Sequence, residues 1–198
     1  EEDEEVNEED EEVNEEDDKK LFSDVQENHW AFNVIHELRD KNIVKGISET
    51  EFAPAKLMTR AEFVTLLVNS LELEAVEKSK FTDVAENAWY ANTVQAAYEA
   101  GIVKGMSETT FAPNKSITRE EIATMILKAY ELKQGQAVEE SSEAAFIDEA
   151  QISGWAKENI NKVVASGLMM GRAVDQFAPQ GITTRAEGAQ VIYNLLNK

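Results

Sequence analysis

The sequence predicts an all-α protein made of one helix-loop-helix unit written three times. Two observations predict it. Landmark residues recur at fixed offsets, and each copy carries two helix signatures separated by an extended loop. Phe22-Ser-Asp-Val returns as Phe81-Thr-Asp-Val and then as Phe146-Ile-Asp-Glu. Trp30, Trp89 and Trp155 follow, then Gly46, Gly105 and Gly171, then three Phe-Ala-Pro triplets ending at Pro54, Pro113 and Pro179. Each copy closes on Thr-Arg-x-Glu, beginning at Thr59, Thr118 and Thr184. The offset is 59 residues between the first two copies; between the second and third it is 65 at the Asp and 66 from the Trp onward, so one residue is inserted there. Every Trp and every Pro of the chain falls on a repeat position. An internal repeat of this kind decides the architecture before any single element does.

The first helix of each copy is expected to start near the Trp. Asn28, Asn87 and Ser153 stand two residues before it, where an N-cap would sit. In the first copy the helix is expected over residues 29–40, with Trp30, Val34, Ile35 and Leu38 spaced along one face. Asn42, Gly101 and Gly167 occupy the place of a left-handed C-terminal residue, a conformation that Asn and Gly tolerate. A short apolar step leads to the repeated Gly, and Phe-Ala-Pro marks a loop anchoring one ring in the core. The second helix is expected from Thr59 to about Leu71, with Phe63, Leu66, Leu67, Ser70 and Leu71 inward. Its start is a capping box, in which Thr bonds the N3 amide and Glu bonds the N-cap amide. Polar links are expected near 74–80 and 133–144. One helical pair buries too little surface to stand alone, so the three copies must share a core, about a threefold axis or in a short row.

Charge and composition exclude several functions. The chain holds 39 acids and 19 bases, a net charge of −20, which argues against a general nucleic-acid binder. There is no Cys and only two His, so thiol chemistry is excluded and neither a metal site nor a cofactor is expected. No apolar run is long enough to span a membrane. Fourteen acids lie in residues 1–18, a seven-residue unit written twice and begun again; the remainder holds 25 acids against 19 bases, a net of −6. Residues 1–20 have only Val6 and Val13 to bury, and are expected to be a disordered acidic linker to a passenger domain upstream. They lack the Gly and ligand spacing of an EF-hand loop. The chain begins with Glu and no apolar leader, as a fragment or processed product would. The expected repeats are 21–76, 80–134 and 145–198.

Three residue types in each copy are candidates for function. Arg60, Arg119 and Arg185 sit at N1, where the helix dipole disfavours a cation by roughly 0.3–1 kcal/mol. The capping box does not explain them. A guanidinium beside free helix-start amides suits an anion or carboxylate; the alternative is ion pairing between repeats. Asp24, Asp83 and Asp148 either brace the turn before the first helix or accept hydrogen bonds from sugar hydroxyls. Trp30, Trp89 and Trp155 either belong to the core or present flat faces for stacking on sugar C–H surfaces. Taken with the Arg, the combination points to a carbohydrate bearing an acidic group.

These motifs together resemble the S-layer homology domain, in three tandem copies covering residue 22 to about residue 197. The resemblance implies a noncovalent anchor of bacterial exoproteins and S-layer proteins, located outside the cell at the cell wall or S-layer. It implies a three-pronged spindle, with one helix from each repeat in a central three-helix bundle and binding grooves between prongs. The implied ligand is a secondary cell-wall polysaccharide of pyruvylated N-acetylmannosamine type, contacted by Arg60, Arg119 and Arg185. Gly46, Gly105 and Gly171 are expected as loop contacts, beside the three Asp and three Trp. A pyruvate ketal carries a fixed carboxylate that Arg can grip bidentately.

The third copy departs from the pattern. Gly171-Arg172-Ala173 replaces Gly-Ile-Ser and Gly-Met-Ser, Glu149 replaces Val, and Gly188 stands inside the second helix at a cost of roughly 1 kcal/mol unless packing uses the missing side chain. Two other functions remain to be distinguished. A glycosidase needs an acid pair that stands out from the repeat pattern, and none does. A peptide-binding helical-repeat scaffold needs an elongated concave face, for which these spacings are long.

Overall fold

The computed structural model describes residues 21–139 and 145–198; residues 1–20, expected to be a disordered acidic linker, and residues 140–144 of the second expected polar link lie outside the described residues. Six α-helices are found among the described residues: α1 (Phe32–Asp40), α2 (Arg60–Ser70), α3 (Ala91–Glu99), α4 (Arg119–Gln134), α5 (Lys157–Ala165) and α6 (Arg185–Leu196). The all-α class is as expected.

The second helices begin as the sequence predicts. Thr59, Thr118 and Thr184 are N-caps of α2, α4 and α6, each with a complete capping box. In α2 the Glu62 amide donates to Thr59 Oγ1 at 3.2 Å, and the Thr59 amide donates to Glu62 Oε2 at 2.8 Å. Helix α4 runs to Gln134, so residues 133 and 134 belong to it rather than to the link, and Gly135 ends it with φ 68°.

The first helices begin later than predicted. Asn28, Asn87 and Ser153 do not cap them; the N-cap residues are Ala31, Tyr90 and Ala156, without a side-chain cap bond. Two tight turns intervene in the first copy, closed by His29 N to Gln26 O and Phe32 N to His29 O. The Trp therefore sits on a turn, not on the helix face, while Ile35 and Leu38 are buried. At the other end the expectation holds: Asn42, Gly101 and Gly167 are left-handed, at φ 57°, 72° and 67°. The reversal they allow lets Ile43 and Val44, and their counterparts, donate to the last helical turn.

The repeat in sequence is not the packing unit in space. Helix α3 packs on α2, α5 on α4, and α1 on α6, while α6 also touches α2 and α4. Each prong therefore joins the second helix of one copy to the first helix of the next, and the third prong joins the last helix, α6, to the first, α1. The arrangement is a closed pseudo-threefold ring about α2, α4 and α6, not a row, so the elongated concave face of a helical-repeat scaffold does not form.

A triangle of backbone hydrogen bonds closes the ring. Met58 N donates to Thr183 O at 2.9 Å, Thr183 N to Ile117 O at 3.2 Å, and Ile117 N to Met58 O at 3.0 Å. Outside this triangle the first amides of the central helices are also taken. Arg60 N donates to Lys115 O, Arg119 N to Gly181 O and Arg185 N to Lys56 O, and the next amides donate to Pro113, Pro179 and Pro54. The helix starts are thus not free, and the expectation of an anion site on open amides is corrected. The neighbouring Phe-Ala-Pro loop already satisfies the donors that a helix terminus leaves over.

Packing around the axis is complementary in size. Phe63, Ile122 and Gly188 are equivalent positions, and a Cβ on Gly188 would run into Met58 Sδ. The glycine predicted to be costly is thus used for close packing. Phe52, Phe111 and Phe177 are buried core, as expected, each tilted against the Phe that opens its copy.

Candidate functional grooves

Each motif arginine crosses into the next copy around the ring. Arg60 Nε donates to Phe111 O at 3.0 Å, Arg119 Nε to Phe177 O at 2.9 Å, and Arg185 Nε to Phe52 O at 2.8 Å. Each guanidinium also lies over the ring of the same Phe, at 4.7, 5.0 and 4.6 Å. Their outer nitrogens differ. Arg60 Nη1 pairs with Glu121 Oε1 at 3.2 Å. Arg119 Nη2 donates to Met170 O at 2.6 Å, and Arg185 Nη2 to Lys45 O at 2.8 Å. Burial lowers the pKa of each arginine below its ordinary value, opposed by Glu121 at Arg60, Glu187 at Arg119 and Glu62 at Arg185. A guanidinium still stays charged at any physiological pH. Contact between repeats therefore accounts for part of the arginine's presence at N1. Its side chain rests on the Phe carbonyl of the same Phe-Ala-Pro loop whose Pro carbonyl accepts a helix-start amide.

The aspartates clasp the loops that receive the arginines. Asp24 accepts Phe52 N at Oδ1 (2.9 Å) and Ala53 N at Oδ2 (2.6 Å). Asp83 holds Phe111 and Ala112 in the same way, and Asp148 holds Phe177 and Ala178. The clasp fixes an unusual backbone, since Ala53, Ala112 and Ala178 are left-handed at φ 58–59°. Outside glycine, that conformation costs roughly 1–2 kcal/mol. The bracing reading of the aspartates thus has a definite partner, a loop 28 to 30 residues downstream rather than the local turn.

The repeated glycines allow a close approach. A Cβ on Gly46 would meet the carbonyl oxygens of Ser48 and Glu51 and the Phe22 ring; Gly105 and Gly171 face the same obstacles. The loop can fold tightly under the groove only without a side chain there.

Trp30, Trp89 and Trp155 are 61%, 65% and 57% exposed, which overturns their core reading. Trp89 and Trp155 flank grooves between prongs. One groove of about 360 Å³ lies between the Val44–Gly46 loop and α2, with Trp89 from the second copy and Arg185 from the third. A second, of about 460 Å³, lies between the Val103–Gly105 loop and α4, with Trp155 from the third copy and Arg60 from the first. Each groove thus draws on all three copies, and an irregular third copy still supplies Arg185 to the first groove. On the third side, α1 packs on α6 with Trp30 on the turn before it, and Arg119 meets the Met170 carbonyl.

That third side is chemically different. Met170 stands where the first two grooves have Lys45 and Lys104. Gly181 replaces Lys56 and Lys115, and the Arg172 guanidinium fills the vacated place, bonding Glu187 at 2.9 Å and Ile182 O at 2.9 Å. Lys45, Lys104, Thr65, Thr124 and Asn159 line the grooves without having been singled out in sequence. The two lysines were legible as a charge recurring just before the repeated Gly. The others needed the helix swap to be known.

Among the described residues there is no group of three or more His, Asp or Glu able to hold a metal, and no helix long and apolar enough to cross a membrane.

Comparison with known families matches the S-layer homology domain at residues 21–64, 80–123 and 145–189. Exoglucanase XynX of Acetivibrio thermocellus is 40% identical over 178 residues, covering 89% of this chain and 16% of that protein. The surface-layer 125 kDa protein of Lysinibacillus sphaericus is 37% identical over 142 residues, covering 72% and 12%. The S-layer protein sap of Bacillus anthracis is 33% identical over 175 residues, covering 87% and 21%. The chain therefore spans about a fifth or less of the length of these relatives, and what it shares with the exoglucanase is the repeat region. By fold, motif and match, the chain belongs to the S-layer homology domain family, a non-catalytic module that anchors surface proteins at the cell wall or S-layer.

Proposed function

We propose that the grooves bind a secondary cell-wall polysaccharide of the pyruvylated N-acetylmannosamine type, and so hold a larger surface polypeptide noncovalently to the wall. The observation that carries this reading is the repeated constellation of an exposed Trp, a glycine loop, a lysine and an inward guanidinium in grooves of about 360 and 460 Å³. The Trp face stacks on sugar C–H surface. Arg185 with Lys45, and Arg60 with Lys104, hold the ketal carboxylate. The glycine loops at Gly46 and Gly105 offer backbone groups at close range. Asp24 and Asp83 act by fixing the Phe-Ala-Pro loops on which Arg185 and Arg60 rest. Trp30, Arg119, Asp148 and Gly171 form the third site, weakened by Met170 in place of lysine. The passenger lies in the same polypeptide beyond the acidic linker.

The domain's net charge repels an anionic polymer at long range, so attraction is local and moderately salt-sensitive. Two grooves on one long chain gain through effective concentration. Calorimetric titration with purified wall polymer, intact and stripped of pyruvate, tests the reading. Binding that vanishes without pyruvate supports it; equal binding to both polymers overturns the ligand assignment.

A further inference from the structure

Behind the second groove, the first turn of α4 carries a buried carboxylate with no counterpart at the same position in the other two copies. Glu120 occupies the position held by Ala61 in the first copy and Ala186 in the third. It is 4% exposed, yet both oxygens are engaged: Oε2 accepts Ser153 N at 3.0 Å and Oε1 accepts Ser153 Oγ at 2.9 Å. Ser153 is also exceptional, since the equivalent residues are Asn28 and Asn87. The next residue, Gly154, replaces His29 and Ala88. In the first copy His29 stiffens this turn by accepting the Ala31 amide at Nδ1 and stacking on Trp30. Gly154 does neither, and glycine loses more conformational freedom on ordering than any other residue. Trp155 follows directly and stands in the groove wall.

We propose that Glu120 is a positioning residue that clamps the Ser153-Gly154 turn and so holds Trp155 in its binding orientation. The three departures form one device: a glycine loosens the turn, and a carboxylate on the neighbouring copy's helix fastens it again. The groove with Arg60 and Trp155 is therefore pre-ordered from across the copy boundary, while the groove with Arg185 and Trp89 has no such clamp. The affinity consequence rests on the polysaccharide reading above; the ordering of Trp155 does not.

The test uses the full chain with Trp30→Phe and Trp89→Phe, leaving Trp155 as the sole tryptophan. Glu120→Ala installs the residue found in the other two copies, and thermal melting verifies the fold. Acrylamide quenching of Trp155 is expected to rise about twofold and its anisotropy to fall, as for a side chain released from one conformation. Glu120→Gln keeps an acceptor for the Ser153 amide and a donor for its hydroxyl, and restores the wild-type signal. Gly154→Ala, whose Cβ meets nothing within 4 Å, restores part of the order in the Glu120→Ala chain. In a chain with otherwise native tryptophans and the first groove disabled by Arg185→Ala, Glu120→Ala is expected to weaken polymer binding about fivefold. With the second groove disabled by Arg60→Ala, it changes nothing. Unchanged quenching and anisotropy in Glu120→Ala overturn the proposal. Failure of the parent chain to bind polymer overturns the ligand reading and leaves the quenching result to decide this one.

Discussion

The guanidinium of Arg185 lies 4.6 Å over the ring of Phe52, and its Nε donates to the Phe52 carbonyl 133 residues away in sequence. The contact ties the last helix to the first copy and places a charged group in the floor of the first groove. One residue thus links the last helix to the first copy and lines the groove proposed to bind ligand.

Arg185→Lys should separate these duties poorly, because an ammonium cannot serve Phe52 O and Lys45 O with the geometry of a planar fork. Leaving a buried carbonyl without its donor costs about 1–3 kcal/mol. The expected outcome is a lower urea midpoint and weaker polymer binding together. Arg119→Ala, on the side where Met170 replaces lysine, should lower affinity less than Arg185→Ala or Arg60→Ala. Titrations of the three variants would rank them, and equal losses would contradict the assignment of Arg119 to the weakened side.

Asp24→Ala removes both acceptors for Phe52 N and Ala53 N and releases a left-handed alanine. A loss of about 1–3 kcal/mol is expected, because the Phe52 amide is part-buried while water reaches the Ala53 amide. Adding Ala53→Gly should recover about 1 kcal/mol, since glycine adopts that conformation without steric cost. Denaturant unfolding of the single and double variants checks it. No recovery would mean that the strain at Ala53 is not what the clasp offsets.

Thr183 is 1% exposed, and its hydroxyl has no hydrogen-bond partner. Its equivalents are Met58 and Ile117, so an apolar side chain suits the axis. Thr183→Val keeps the shape and removes the unpaired hydroxyl, and is expected to raise stability by about 1–2 kcal/mol. A lower melting temperature in this variant would show that the hydroxyl is satisfied in solution.

The capping carboxylate of Glu62 predicts an acid limb. Burial raises its pKa, but the Thr59 amide and Lys56 outweigh this and hold it below the ordinary value. A depressed folded pKa stabilises the fold above the unfolded value, near pH 4.3, and that stability is lost as pH falls through the folded value. Glu62→Gln should therefore cost stability at pH 7 and flatten the decline below about pH 4. Melting curves from pH 7 to 2.5 compare the slopes, and parallel slopes would contradict the linkage.

Much of this molecule is legible one copy at a time. The capping boxes at Thr59, Thr118 and Thr184, the left-handed Asn42, Gly101 and Gly167, and the buried Phe of each Phe-Ala-Pro follow from residues within a few positions of one another. Candidate arginines and tryptophans were visible for the same reason, because triplication marks any position held in all copies. The Trp-bearing turns have the local sequence of helix starts, yet the helices begin after them. Asn28 has the composition of a cap, and only the surrounding turn shows that Trp30 leaves the helix face.

The sequence by itself determined the element inventory, the capping chemistry and which residues recur. Only the folded arrangement shows that prongs are built from different copies, that Phe-Ala-Pro carbonyls accept helix-start amides, and that Arg60, Arg119 and Arg185 each contact the next copy's Phe-Ala-Pro loop. The physical reason is separation along the chain. A capping bond spans three residues and is written in their order, whereas the arginine contacts span 51, 58 and 133 residues. Contacts of that length exist only after the ring has closed and the shared core has set their distance.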